Sequence, residues 1–129
     1  RNRGVETDIL PYCQNQNITV IAYSPLAEGA LVNPRSIPVN PRVSSRLTNG
    51  HDMEVLERVA SENQKTVAQV ALNWCTAKPR IIAIPKAGKP EHAEENCGAS
   101  DWRLSARHLD ELDRAFDSGA DLKAAWWTP

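Results

Sequence analysis

A β-branched apolar run, Ile81–Ile84, stops at Pro85 and passes through Lys86, Gly88 and Lys89 into Pro90. Branched side chains fit a pleated surface, so the run reads as a buried strand. Pro90 fits the first position of a helix, where its missing N–H costs nothing. The strand therefore ends beside two ammonium groups and the positive end of a helix. Free N–H groups and the helix dipole both favour an anion such as phosphate there. An ordinary strand–loop–helix link with two solvated lysines would show the same spacing. Residues 18–26 (Ile-Thr-Val-Ile-Ala-Tyr-Ser-Pro-Leu) are a second apolar strand ending in a polar turn. A sheet of two strands needs a cover to be stable.

Helical patterns supply candidates for that cover. Residues 5–15 place Val5, Ile9, Leu10 and Cys13 on one face, with Pro11 expected to end or kink the helix. Residues 27–50 read as a long irregular loop, rich in Pro, Ser, Asn and Gly; such loops are functional or disordered. Residues 52–62 form a helix burying Val55, Leu56 and Val59. Thr66 and Gln69 form a capping box. It opens a helix with an apolar stripe of Val67, Val70, Ala71 and Trp74, which Lys78-Pro79 ends. A short helix runs from Pro90 to about Cys97. Ser105 caps a last helix carrying Leu109, Leu112 and Phe116, and Ser118-Gly119 closes it. The tail 119–129 contains Trp126 and Trp127, which no pattern places.

Charge and composition narrow the function. The 15 basic and 16 acidic residues nearly cancel, which argues against a nucleic-acid surface. No apolar run approaches the 18 or so residues of a membrane span, and the first residues lack the apolar core of a signal peptide. Cys13, Cys75 and Cys97 give neither a metal signature nor a closed disulfide set, so a reducing cytoplasm is the default. Cys13 and Cys75 read as small core residues. Glu94 and Glu95 are adjacent and point apart on a helix; Asp110, Glu111 and Asp113 read as a solvated face. His51 and His108 have no partners at metal spacing, and His108 reads as a surface residue. Trp74 and Trp102 read as packing residues. No catalytic or metal site emerges from these patterns.

Five segments occur in a telling order: Leu10-Pro-Tyr-Cys13, Ala22-Tyr-Ser-Pro-Leu26, Lys65-Thr-Val-Ala-Gln-Val-Ala-Leu-Asn-Trp74, Ile84-Pro-Lys86…Glu95-Asn96 and Asp101-Trp-Arg-Leu-Ser105. Together they resemble the last third of the aldo-keto reductases, over residues 5 to 116. The resemblance implies an α/β fold: a C-terminal portion of a (β/α)8 barrel, with two parallel strands, the seventh and eighth, and four to five helices. It makes residues 1–129 one partial domain. A complete barrel takes about 250 residues, and this chain has 129, its only Met at position 53. That fits a trimmed polypeptide, a proteolytic product or a fragment of a larger reading frame. The family's catalytic Asp, Tyr, Lys and His lie on earlier strands, so none is assigned here, and the chain alone is expected to be inactive.

The same resemblance implies an NADP(H) site. Lys86 would pair with the 2′-phosphate, with Ala87 and Gly88 lining it through their backbone; the family often carries a hydroxyl residue at the position of Ala87. Glu95 and Asn96 would bind adenine, Asn offering donor and acceptor and Glu an acceptor; otherwise they are helix-surface polar residues. Tyr23 would lie under the nicotinamide ring, the rival reading being a core tyrosine at a strand end. Ser24 would meet the pyrophosphate by its hydroxyl and Leu26 by its backbone N–H. Glu28 departs from the family's Arg or small polar residue and would have to turn away to solvent. Gly29 matches a turn glycine.

Two readings stand side by side. One is the cofactor-binding portion of an NADP(H)-dependent reductase of aldehydes and ketones, with the dinucleotide as partner and a carbonyl substrate only in a complete barrel. The other is a non-catalytic relic, or a module that self-associates through exposed apolar surface. His92 stands where many members carry Arg, and lacks Arg's permanent charge and planar fork. Histidine gains charge only toward acid pH, so contact with the phosphate predicts NADPH affinity that improves from pH 8 to pH 6. A flat response over that range would mean that His92 does not touch it.

Overall fold

Two short strands, β1 (Val20–Tyr23) and β2 (Ile81–Ile84), lie parallel, with Val20 opposite Ile81 and Tyr23 opposite Ile84. Parallel neighbours need a crossover. Here it contains α2 (Gly50–Glu62) and α3 (Val67–Cys75), numbered after α1 (Ile9–Asn15), which precedes β1. After β2 come α4 (Pro90–Cys97) and α5 (Ala106–Ala115). Short 3₁₀ turns occupy Gly4–Glu6 and Ala27–Gly29. The computed structural model describes residues 4–33 and 50–116. The proline-rich stretch 34–49, and the tail with Ser118, Gly119, Trp126 and Trp127, lie outside the described residues.

The strand register is set at the N-terminal ends. The Arg80 guanidinium donates to Asn17 Oδ1 at 2.6 Å and to the Asn17 carbonyl at 3.2 Å. The Val20 amide donates to the Arg80 carbonyl at 2.8 Å, and Gln14 Nε2 to the Pro79 carbonyl at 3.1 Å. Lys78 pairs with Glu6 across the same end. A slip of one residue would turn over the faces of the strand that moves.

The core lies among the helices rather than on the sheet. Leu56 and Val59 of α2, Val70 of α3 and Leu112 of α5 are fully buried, with Ala60, Ala71, Leu104 and Phe116 around them. Each such Leu or Val contributes about 1.5–3 kcal/mol by leaving water. Val55, Val67 and Leu109 pack at the margin with Trp74 and Trp102, and the Trp74 and Phe116 rings lie 5.1 Å apart. The capping box forms: Gln69 N donates to Thr66 Oγ1 at 3.2 Å and Thr66 N to Gln69 Oε1 at 3.1 Å.

Several expectations are corrected. Residues 5–15 are not one helix but a 3₁₀ turn and a separate α1, so the 5–9 spacing no longer defines a face; Val5 and Ile9 are exposed and only Leu10 is buried. Pro11 is the third residue of α1, where backbone N–H groups lack helical partners anyway, so it begins the helix instead of ending it. The expected loop from 27 starts with structure, since Ala30 and Leu31 follow its 3₁₀ turn into the core. Cys13 and Cys75 are half-buried and outside the core cluster. Burial, then the Glu6 charge, pushes the Cys75 thiol pKa up.

His108 is not a surface residue but 7% exposed, because it shares a helix face with Leu112 at i, i+4. Its Nε2 lies 3.0 Å from Glu62, and its Nδ1 3.1 Å from the Asn63 amide nitrogen. Around it Arg58 and Arg107 each bridge Glu62 and Glu111 at 2.6–3.0 Å, so Glu111 is tied to α2 rather than freely solvated. Asp113 likewise accepts a hydrogen bond from Trp74 Nε1 at 2.9 Å.

This ring of charges locks α2 to α5. Bonds from Arg58, then His108 and Arg107, hold the Glu62 carboxyl down to about 2, from an ordinary value of 4.5. A depressed carboxyl pKa stabilises the fold above the unfolded value, and that stability is lost as pH falls toward the folded one. Thermal unfolding should therefore be insensitive to this group above pH 5 and lose stability between about 4.5 and 2. Glu62→Gln should be less stable at pH 7 and show a shallower acid loss. Identical acid profiles for the two proteins would contradict this role.

Candidate functional site

Because Tyr23 faces Ile84 across a parallel pair, the chain leaves both strands at the same edge. One exit is the turn beginning at Ser24. The other is Pro85-Lys86-Ala87-Gly88-Lys89, which runs into α4. The first exit is unusual in its backbone. Ser24, Ala27 and Glu28 have φ of 47°, 51° and 57°, a left-handed geometry that costs about 1–2 kcal/mol for a residue with a Cβ. Gly29 has φ 90°, where glycine is required. The turn is held by Ala27 N donating to the Ser24 carbonyl at 2.9 Å and Gly29 N to the Leu26 carbonyl at 3.0 Å. The Leu26 side chain packs against the core and anchors it.

The expected site residues divide into two groups around this edge. Tyr23 is 81% exposed in this chain, on the same strand face as Ile21, Ile82 and Ile84. Ser24, Glu28, Lys86, Ala87, Gly88, Lys89 and His92 are exposed, while Glu95 and Asn96 are half-buried on α4. The topology thus sets Tyr23 and Ser24 beside the Lys86 turn, with Glu95 and Asn96 further along the helix that this turn begins. Lys86 and Lys89 have no ion pair among the described residues. Pro90 occupies the first turn of α4 and no side chain caps it, since the N-cap residue Lys89 has no acceptor. A Cβ at Gly88 would meet nothing within 4 Å, so its backbone can be approached closely. Two cations, uncapped helix N–H groups and an open glycine suit an anionic ligand.

Two supports of this edge were not legible in the sequence, the buried Asn73 and a second bond made by Gln69. Asn73 is 1% exposed, and its Nδ2 donates to the carbonyls of Ala99 (3.0 Å) and Trp102 (2.9 Å) while its Oδ1 accepts from Leu104 N (3.1 Å). It fastens the segment between α4 and α5 onto α3. Trp102 Nε1 donates to the Gly98 carbonyl at 3.0 Å within that segment, and Lys65 lies 5.5 Å from the Trp102 ring centroid. Gln69 reaches beyond its own cap, Nε2 donating to the Glu95 carbonyl at 3.1 Å. The signal for Asn73 was a polar residue inside the apolar run Val70-Ala-Leu-Asn-Trp74; once such a residue is buried, it needs partners. The concave surface lined by His51, Val55, Arg58, Glu111, Arg114 and Ala115 lies between α2 and α5, on elements other than those of this edge.

Known proteins share this fold. The family model described as the aldo/keto reductase family matches residues 2–117. Methylglyoxal reductase YeaE of Escherichia coli is 34% identical over 116 residues, covering 89% of this chain and 36% of that protein. The chloroplastic pyridoxal reductase of Arabidopsis thaliana is 33% identical over 117 residues, covering 85% of this chain and 32% of that protein. An aldo/keto reductase from Klebsiella pneumoniae, crystallised in complex with NADP and acetate, superposes with a TM-score of 0.71 at 35% identity, over 89% of this chain and 36% of that one. This chain therefore spans about a third of the length of the relatives it matches. The two strands and five α-helices of the described residues are a portion of their (β/α)8 barrel, and the chain belongs to the aldo/keto reductase family.

Proposed function

We propose that this chain carries the adenine and 2′-phosphate half of an NADP(H) site, and that the protein it belongs to reduces aldehydes or ketones. The observation supporting this is the shared edge: the parallel register that sets the left-handed turn after β1 beside the Lys86 turn and the uncapped start of α4. Lys86 would hold the 2′-phosphate, with the backbone of Ala87 and Gly88 and the imidazole of His92 next to it. Glu95 and Asn96 would read the adenine. Ser24 and the Leu26 N–H would meet the pyrophosphate, and Tyr23 would support the nicotinamide ring. NADPH supplies the hydride for carbonyl reduction, and the residues that move the proton would come from outside this chain. Relatives named for methylglyoxal and pyridoxal act on aldehydes of different size, so the carbonyl is the common element. The three free cysteines are in keeping with a cytoplasmic setting.

A second reading, a non-catalytic module that associates with itself, is favoured by the exposed strand face of Ile21, Tyr23, Ile82 and Ile84. One titration separates the two. Tryptophan fluorescence should be quenched saturably by NADPH at low salt. Lys86→Ala should weaken NADPH about tenfold or more, the worth of a charge-assisted bond, and leave NADH unchanged. No binding, with a dimeric mass by light scattering, would overturn the first reading and support the second.

A further inference from the structure

Gln69 uses both ends of its amide on different elements. Its Oε1 accepts from Thr66 N at 3.1 Å, closing the cap of α3. Its Nε2 donates to the Glu95 carbonyl at 3.1 Å, in the last turn of α4. The partners fix which end is which, because an N–H needs an acceptor and a carbonyl a donor. Gly98 makes the approach feasible. A Cβ there would sit 2.3 Å from Gln69 Nε2 and 3.3 Å from Gln69 Cδ, so any other residue would push the amide aside. Gly98 has φ −66°, so this contact and not its backbone conformation calls for glycine.

We infer that Gln69 is a positioning residue for the nucleotide site. It ties the start of α3 to the turn of α4 that carries Glu95 and Asn96, and so fixes where those two side chains stand relative to the Lys86 turn. This inference rests on the reading of Glu95 and Asn96 as the adenine contacts. Gln69 need not touch the nucleotide. Its effect passes through the Glu95 backbone, and the cap alone would not require its Nε2.

Gln69→Glu separates the two ends. Glutamate still accepts from Thr66 N and keeps the capping box, but sets a carboxylate oxygen against the Glu95 carbonyl where a donor stood. Adenosine 2′,5′-bisphosphate, the adenine half of the cofactor, is the probe, with binding followed by calorimetry. The expected result is binding about five- to tenfold weaker in Gln69→Glu than in the unsubstituted chain, with the unfolding transition still cooperative. Unchanged affinity in a folded Gln69→Glu overturns the inference and leaves the NADP(H) reading intact. A chain that binds no bisphosphate overturns both. Hydrogen exchange on the unsubstituted protein gives a second test that needs no variant. Saturating bisphosphate should slow exchange of the Thr66 amide along with those of α4, because Gln69 links them. Slowing confined to α4 would overturn the inference.

Discussion

Asn73 is buried to 1% exposure in the middle of α3, and its amide bonds three backbone groups of one short segment, the carbonyls of Ala99 and Trp102 and the amide of Leu104. No element of regular structure could satisfy these groups, since the segment between α4 and α5 has none. Left unpaired, a buried group of this kind costs about 1–3 kcal/mol. With the amide in place, the segment leads Leu104 into the core and delivers Ser105 to cap α5, where its hydroxyl accepts from His108 N at 3.2 Å. The other end of the segment fixes where α4 stops. Asn73 thus ties the segment joining the two helices after β2 to α3, alongside the Gln69 bond to α4 and the core and charge contacts of α5.

The rest of the energetics follows from where the apolar residues fall. Alternate strand residues face opposite sides of a sheet. Val20, Ala22, Ile81 and Ala83 are half-buried, whereas Ile21, Tyr23, Ile82 and Ile84 are exposed. In a (β/α)8 barrel one side of each strand meets the helices and the other fills the barrel interior. The exposed side is therefore the one that further strands cover in a closed barrel. Stability within the chain comes from the helix cluster around Leu56, Val59, Val70 and Leu112 and from the charge ring that joins α2 to α5. The functional edge lies at the strand ends, outside that cluster, and depends on it through α3.

Local signals were legible where a residue's own chemistry decides its place. The β-branched runs became the strands, Thr66 and Gln69 formed their capping box, Ser105 capped α5, and Pro90 opened α4. The strand–Pro–Lys–Gly–Lys–Pro pattern located the edge that the register then joined to Ser24. Signals that depend on tertiary partners were not legible. His108 read as a surface residue because its burial needs Glu62 and Asn63 from another helix. Pro11 read as a terminator because the break before α1, which makes it an initiator, leaves no mark in hydrophobic spacing. The roles of Asn73 and of the Nε2 of Gln69 depend on backbone groups about thirty residues away. Tyr23 stands open between shelf and core: it is 81% exposed in this chain, on the strand face that further strands cover in a closed barrel.

Native-state hydrogen exchange of Asn73→Ala tests most directly whether one buried amide organises the far half of the structure. Loss of protection at the Leu104 amide and through α4, with α2 amides still protected, is the result expected if Asn73 holds the segment and the segment holds the helices. Protection that stays at the unsubstituted level in α4, or falls equally in α2, would contradict it.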